Sequence, residues 1–380
     1  QCGGECAGWF SMANRNPGNE FDAPRGPGRI PRVITEVRLR HFRCFDALDF
    51  HPGPGRTCIV GQNAQGKTSI LEAVCVLLRL QSPRTSSPVE MIQASESECA
   101  LEGRVGDSHL ACRFSPGSRE LMLDSKPQSR SDDYLSVARI TWFANSDLEL
   151  VKGSGSVRRR FLDFLGMQSV PGYRKALRDY ERTLRSRNAL LKEGRPRREI
   201  AAFDPPLVEA GEFLLEARRV LVEAAAPLAS AACAKISGSA DALALSYQPG
   251  CEGSLAESLA ASRGEEERLR QTVRGPHRDD LGISLNGLKA SAFASEGQQR
   301  GIALALKIAQ ARHLESLHSQ PPVLLLDDIF GELDTFRRNR LFETLPSTAQ
   351  TIITTTFLDW AEGHPIETVF HLAEGKLRGE

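Results

Sequence analysis

Eight consecutive residues, Gly61-Gln62-Asn63-Ala64-Gln65-Gly66-Lys67-Thr68, restrict the possible folds of this chain more than any other stretch. They fit GxxxxGK[ST], and they stand between a short apolar run, Thr57 to Val60, and a run with Ile70, Leu71, Val74, Leu77 and Leu78 at helical spacing. Strand, glycine loop and helix in that order make a phosphate-binding loop. The glycines let backbone N–H groups curl around phosphates, Lys67 brings a point charge to the outer groups, and Thr68 offers its hydroxyl to Mg²⁺. The helix that starts there adds the positive end of its dipole. A glycine turn capped by Thr68 is the bland alternative, and both flanks speak against it.

A second apolar strand, Val323-Leu-Leu-Leu-Asp-Asp328, ends in two carboxylates. Beside a phosphate loop, Asp327 is expected to link to Mg²⁺ and Asp328 to orient the attacking water. About thirty residues earlier, Ser295-Glu-Gly-Gln-Gln299 opens a helical run over 298–314. Ser295 and Gln298 satisfy a capping box, which is the plain structural reading. Their distance from the acidic pair favours another: Ser295, Gly297 and Gln298 present a hydroxyl and free N–H groups to a γ-phosphate held by a second molecule.

The 380 residues suffice for about two domains, and 48 basic residues balance 48 acidic ones, so bulk charge names no partner. The nine cysteines are scattered without zinc spacing and read as reduced thiols of a cytoplasmic protein. Only Cys2 and Cys6 lie close together, within residues 1–32, a Gly-, Pro- and Arg-rich arm expected to be disordered or an upstream extension. No run of eighteen apolar residues appears and residues 1–32 lack a signal-peptide core, so no membrane partner is expected.

The pattern divides into an N-terminal part of an ATPase lobe at 33–150, an inserted helical lobe at 151–272 and a C-terminal ATPase part at 273–380. Order begins with a half-buried strand in which Val37, Leu39 and His41 alternate with Glu36, Arg38 and Arg40. Short strands over 99–143 predict an antiparallel layer. Tyr173, Leu177, Tyr180, Leu184 and Leu191, followed by an Ala/Leu/Val-rich stretch at 208–236, predict a helical hairpin. A strand at 351–356 and a terminal hairpin in VFHLAEGKL close the chain. From Lys152 to Arg198, fourteen basic residues face four acidic ones, the charge pattern of a DNA-backbone binder rather than a sequence reader. Phe161, Phe164, Tyr173 and Tyr180 have core spacing, not that of a base-stacking platform. Arg178, Arg182 and Arg185 are the primary candidates for DNA contact. Arg158, Arg159 and Arg160 are weaker ones, because an arginine there can stabilise the lobe instead, and a merely solvated face is the bland reading of the whole run.

Phe42-Arg43, GQNAQGKT, a long insertion, SEGQQ, LLLDD and GELD334 occur in the order seen in SMC/ABC-type ATPases, which the chain resembles. Within them VKGSGSVRRRFLD (151–163), RGPHRDDL (274–281) and SEGQQR (295–300) are similar to the RecF family, and the likeness covers about residues 33 to 380. The resemblance implies a P-loop α/β head of mixed sheet and helices with an inserted helical lobe. It further implies a homodimer around two ATP molecules, with Asp334 near the dimer seam and Arg43 near the phosphates. RecR and RecO are the implied protein partners, at single-strand gaps in DNA repair and replication. Asp328 stands where most ABC-type ATPases carry Glu, so slow hydrolysis is expected. Thr354, Thr355 and Thr356 stand where a switch histidine would be, and Asn145 replaces the proline usual in FANSDL, leaving the glutamine-loop equivalent open. The expected function is an ATP-dependent DNA clamp, with ATP driving closure and slow, DNA-stimulated hydrolysis releasing it. A transporter ATPase subunit and a nucleotide-binding scaffold without turnover are the alternatives.

Overall fold

The apolar runs at Thr57–Val60 and Val323–Leu326 join one sheet in the computed structural model, which describes residues 32–238 and 241–379. The predicted N-terminal arm, with Cys2 and Cys6, lies outside the described residues but for Arg32. Strands β1 (Ile34–Phe42), β2 (Phe45–Phe50) and β3 (Arg56–Val60) lead into helix α1 (Lys67–Arg79). Then come β4 (Cys99–Val105), β5 (Ser108–Ser115), β6 (Ser118–Leu123), β7 (Lys126–Pro127) and β8 (Ile140–Ala144). Helices α2 (Gly155–Ser169), α3 (Tyr173–Glu193) and α4 (Asp204–Ser237) precede β9 (Leu243–Gln248), β10 (Asp280–Leu285) and β11 (Leu288–Lys289). The chain ends with α5 (Glu296–His318), β12 (Val323–Asp327), α6 (Thr335–Thr344), β13 (Thr351–Thr355), β14 (Thr368–Ala373) and β15 (Lys376–Gly379).

Two compact units result among the described residues, one spanning 148–309 and the other joining 32–147 with 310–379. In the second unit the sheet order is β15-β14-β3-β13-β12-β8, parallel except for the β14–β15 hairpin. Leu324, Leu325 and Leu326 are all fully buried, the continuous apolar run expected of a parallel strand covered on both faces. α1 buries Ile70, Leu71, Val74, Leu77 and Leu78, as its spacing predicts. A second, antiparallel sheet runs β2-β1-β4-β5-β6-β7. It departs from expectation at both ends of the predicted layer: β1 and β2 join it, whereas Ile140–Ala144 leaves it to pair in parallel with β12. His41 also breaks the alternation. His41 itself takes φ 52 and is only part-buried, and Phe42 turns inward instead.

The unit at 148–309 holds the predicted hairpin of α3 and α4. Gly194 ends α3 in the left-handed region at φ 66, and Pro205 sits in the first turn of α4, where its missing N–H costs nothing. Segment 197–237 is long and apolar enough to cross a bilayer by length and mean composition, although it contains no run of eighteen apolar residues. Packing accounts for that character: Leu207, Leu214, Ala217, Leu221 and Ala225 are buried, and α4 lies against α3 and β9. The sequence boundary at 272 also moves. β10 pairs antiparallel with β9 from Asp280↔Gln248 to Leu285↔Leu243, so 273–309, including Ser295, folds with the inserted lobe.

Two buried ionic networks hold this unit together. Arg218 on α4 donates to Asp163 (2.7 Å), Asp279 (2.6 Å), the Tyr173 hydroxyl (3.0 Å) and the Pro276 carbonyl (2.7 Å). The Tyr247 hydroxyl and the Gly250 N–H complete the Asp279 carboxylate at 2.5 and 2.7 Å. Arg187 on α3, fully buried, forks onto Glu266 at 2.9 and 2.7 Å and also reaches Asp204 and Thr272. Every guanidinium edge has an acceptor, which is the condition for burying such charges at all.

Candidate functional site: nucleotide cradle and cation ridge

The phosphate loop lies between the end of β3 and the start of α1, and close backbone approach explains its glycines. Gly66 has φ +103, and a Cβ there would meet the Phe45 ring at 2.7 Å and the Cys44 sulfur at 2.8 Å. At Gly61 a Cβ would fall 2.5 Å from the Leu372 carbonyl oxygen. The Glu374 N–H, in the β14–β15 turn, donates to Gln65 Oε1 at 2.9 Å and pins the loop. No side chain caps α1, so its first N–H groups face an incoming anion. Gln62, Asn63 and Ala64 are exposed, and Ala64 takes a left-handed φ of 65. Lys67 folds onto its own loop, donating to the carbonyls of Gly61 (2.7 Å) and Gln62 (2.9 Å). Burial lowers its pKa, while the nearby Asp328 and Asp327 carboxylates oppose that shift.

Parallel pairing of β12 with β13 brings the acids to the loop. Thr68 Oγ1 donates to Asp327 Oδ1 at 2.9 Å, and Thr354 Oγ1 donates to the same oxygen at 2.8 Å. The Asp328 N–H is shared between the Thr354 carbonyl (3.2 Å) and hydroxyl (3.1 Å). Asp328 itself is left-handed at φ 50, a strained conformation of the kind concentrated at functional sites. Asn145, just past β8, donates from Nδ2 to the Asp328 carbonyl at 3.2 Å. Burial raises the pKa of both acids; hydrogen bonds from Thr354 and Thr68 offset this at Asp327, and the Lys67 charge offsets it at Asp328. A hydroxyl and a carboxylate, both hard oxygen donors, 2.9 Å apart at the loop suit Mg²⁺, which takes one or two protein ligands and completes its shell with phosphates and water. Among the described residues no cluster of three His, Cys, Asp or Glu side chains could hold a metal alone.

Arg43 is paired within the protein. Its guanidinium is taken up by Glu72 on α1, with Nε–Oε2 2.9 Å and Nη2–Oε1 2.5 Å, and by the Glu90 carbonyl at 2.5 Å. Glu72, fully buried, also accepts from Ser82 and Arg84. Sequence reading missed both Glu72 and Thr354. Thr354 was within reach: if LLLDD and TIITTT are neighbouring parallel strands, their ends must meet.

In the other unit Ser295 is exposed at the start of α5. Its N–H donates to Gln298 Oε1 (2.9 Å), and its hydroxyl accepts the Gln298 N–H at 3.3 Å. The capping box is therefore formed, and a weakly held, exposed hydroxyl remains at a helix N-terminus. Gly297 lies in the first turn of α5. Asp334 caps α6 through the Arg337 N–H at 2.8 Å and pairs with the Arg337 guanidinium, while remaining half exposed.

The basic run separates into two populations. Lys175, Arg178, Arg182 and Arg185 are exposed on one stripe of α3, stepping by three or four residues, and Lys192 continues it two turns on, over roughly 25 Å of helix. Lys175 and Arg182 share Asp179, each at 3.1 Å. Arg158 instead forks onto Asp280 at 2.6 and 2.8 Å, and Arg159 donates to the Asp279 carbonyl at 2.7 Å. Both are thereby structural members of the RGPHRDDL knot rather than free surface cations, which corrects their candidacy. Arg160 is exposed.

Known proteins resemble this chain over most of its length. The AAA domain family matches residues 36–164. The chain is 38% identical over 364 residues to the DNA replication and repair protein RecF of Anaeromyxobacter sp. (strain Fw109-5), covering 90% of this chain and 98% of that one. It is 37% identical to RecF of Thermosynechococcus vestitus, with 86% and 91% covered. Two solved structures of the recombination mediator protein RecF in the RecFOR pathway, with ATPrS and with ATP, superpose with TM-scores of 0.84 and 0.83 at 26% identity, each covering 92% of this chain and 98% and 97% of theirs. The Smc head domain of Pyrococcus yayanosii, with a TM-score of 0.54 at 16% identity, shares the fold.

Proposed function

The chain belongs to the RecF family of the SMC/ABC-type ATPases, and on that footing we propose that it is an ATP-driven DNA clamp of recombinational repair and replication. Two copies sandwich two ATP molecules, each between the 61–68 loop of one copy and the Ser295 segment of the other. The observation that carries this reading is the Thr68–Asp327 hydrogen bond, which assembles phosphate loop and acidic strand into a cradle for the phosphates and their metal.

Each group then has a task. The loop N–H groups and the α1 terminus bind phosphate oxygens, and Lys67, released from its own carbonyls, reaches the outer phosphates. Thr68 with Asp327 would hold Mg²⁺, which would supply charge neutralisation to the phosphates. Asp328 orients the attacking water, and its carboxylate is one methylene shorter than the usual Glu, which keeps hydrolysis slow. Ser295 and the Gly297 and Gln298 N–H groups complete the cradle from the second copy, with Asp334 at the seam. The α3 stripe of Arg178, Arg182 and Arg185 lies along the DNA backbone without reading bases. RecR and RecO are the partners implied by family membership.

Sedimentation with and without ATP tests the sandwich. The parent chain associates only with ATP, whereas Lys67→Ala and Ser295→Arg stay monomeric. Association of Ser295→Arg at the parent's ATP dependence would exclude Ser295 from the composite site.

A further inference from the structure

The expected switch histidine is absent, yet the strand that would lead to it carries a polar group which none of the roles above uses. Thr354 is fully buried in β13, between β3 and β12, where β-branched residues are common and a hydroxyl is not needed for packing. Its hydroxyl is nevertheless fully committed. The single proton goes to Asp327 Oδ1 at 2.8 Å, much nearer than the Leu326 carbonyl at 3.5 Å, and a lone pair receives the Asp328 N–H at 3.1 Å. One buried atom thus touches both members of the acidic pair. No hydrogen bond from the described residues reaches Asp327 Oδ2, so the two hydroxyls of Thr68 and Thr354 converge on Oδ1 alone.

We propose that Thr354 is a positioning residue for the nucleotide-bound metal and the attacking water. Its hydroxyl fixes the Asp327 carboxylate from the sheet side while Thr68 holds it from the loop side, and the same oxygen fixes the backbone from which Asp328 projects. The geometric logic is that of outer-shell partners, which orient a ligating carboxylate without touching the metal. Thr68 serves two masters, since its oxygen is also a metal donor; Thr354 has no such second task. Asn145, donating to the Asp328 carbonyl, braces the same turn from β8. The three neighbouring strands of the sheet therefore each contribute to the placement of the acids: β12 carries them, β13 holds the carboxylate and N–H, and the residue after β8 holds the carbonyl.

This inference rests on the metal-dependent nucleotide site proposed above, and its test separates the two. The full chain is prepared as parent, Thr354→Val, which keeps shape and loses the hydroxyl, and Thr354→Ser, which keeps the hydroxyl. Mn²⁺ binding is followed by electron paramagnetic resonance with a non-hydrolysable ATP analogue, nucleotide affinity is measured with chelator and no metal, and single-turnover hydrolysis is timed at saturating metal. Thr354→Val is expected to weaken Mn²⁺ binding about tenfold, the lower end for loss of an outer-shell partner, and to slow turnover at least as much. Metal-free nucleotide affinity stays within twofold of the parent, and Thr354→Ser restores both losses. Parent-like metal affinity and turnover in Thr354→Val overturns the assignment, as does a Thr354→Ser as impaired as Thr354→Val, since packing would then be the cause. A parent chain that binds nucleotide without any metal dependence sinks the site itself along with this inference.

Discussion

Replacing Arg178, Arg182 and Arg185 together with Ala attacks the α3 stripe where exposure is greatest and structural cost least. All three side chains are exposed, and Ala is the better helix former, so the lobe should keep its fold. Each cation that meets a duplex phosphate adds about 0.9 to the steepness with which log affinity falls against log salt, or about 0.7 on a single strand. Arg178 and Arg185 have no ion pair among the described residues, whereas Arg182 shares Asp179 with Lys175 and counts in part. The slope on duplex DNA should therefore fall by about 1.8 to 2.7. Between 50 and 200 mM salt, a fourfold change, the parent should lose about 12 to 40 times more affinity than the variant. Fluorescence anisotropy with ATP present, across that salt range, measures this on duplex and single-stranded probes. Arg158→Ala is the contrast: it leaves Asp280 without its fork, lowers thermal stability and should not change the slope. Equal slopes for parent and triple variant would remove α3 from the DNA-facing surface.

Three further outcomes follow from the buried groups. Arg187→Met leaves the fully buried Glu266 carboxylate with only Arg197, at 3.9 Å, and should cost about 3–5 kcal/mol in urea denaturation; a loss below about 1 kcal/mol would contradict the network's role. Burial, the largest cause, lowers His277 to about 4, and the neutral ring sits between the Tyr180 hydroxyl and the Thr272 carbonyl. Because the folded value lies below the unfolded one near 6.5, its contribution is complete above pH 6.5 and is lost as pH falls towards 4, by up to about 1.4 kcal/mol per unit. His277→Gln should flatten the fall in urea midpoint between pH 7.5 and 5, and an unchanged fall would exclude His277 as its source. Asp328→Ala should slow single-turnover ATP hydrolysis about a hundredfold while leaving ATP-driven association intact, and a parent-like rate would end its assignment as the water-orienting acid.

Much of the candidate site was legible because its chemistry is local. The loop at 61–68 needs consecutive residues with particular backbone freedom, and α1 needs apolar positions repeating at helical spacing; both are written within twenty or so residues. Ser295 and Gln298 show where legibility stops. A capping box and a phosphate-presenting segment demand the same residue types, and the structure forms the cap while leaving the hydroxyl exposed. The arginines show it more sharply. Arg158 and Arg178 are alike in sequence, and only the fold sets one against Asp280 and the other in solvent.

The order of residues by itself determined the phosphate loop, the strand that ends in Asp327 and Asp328, and the helical hairpin, since each follows from periodicity or spacing over a short window. Tertiary structure alone decided that Thr354 meets Asp327, that Arg43 turns to Glu72, and that residues 273–309 fold with the inserted lobe. Those facts depend on which strands pair and in what register. Pairing is settled by burial summed over residues far apart in the chain, so no local window contains it.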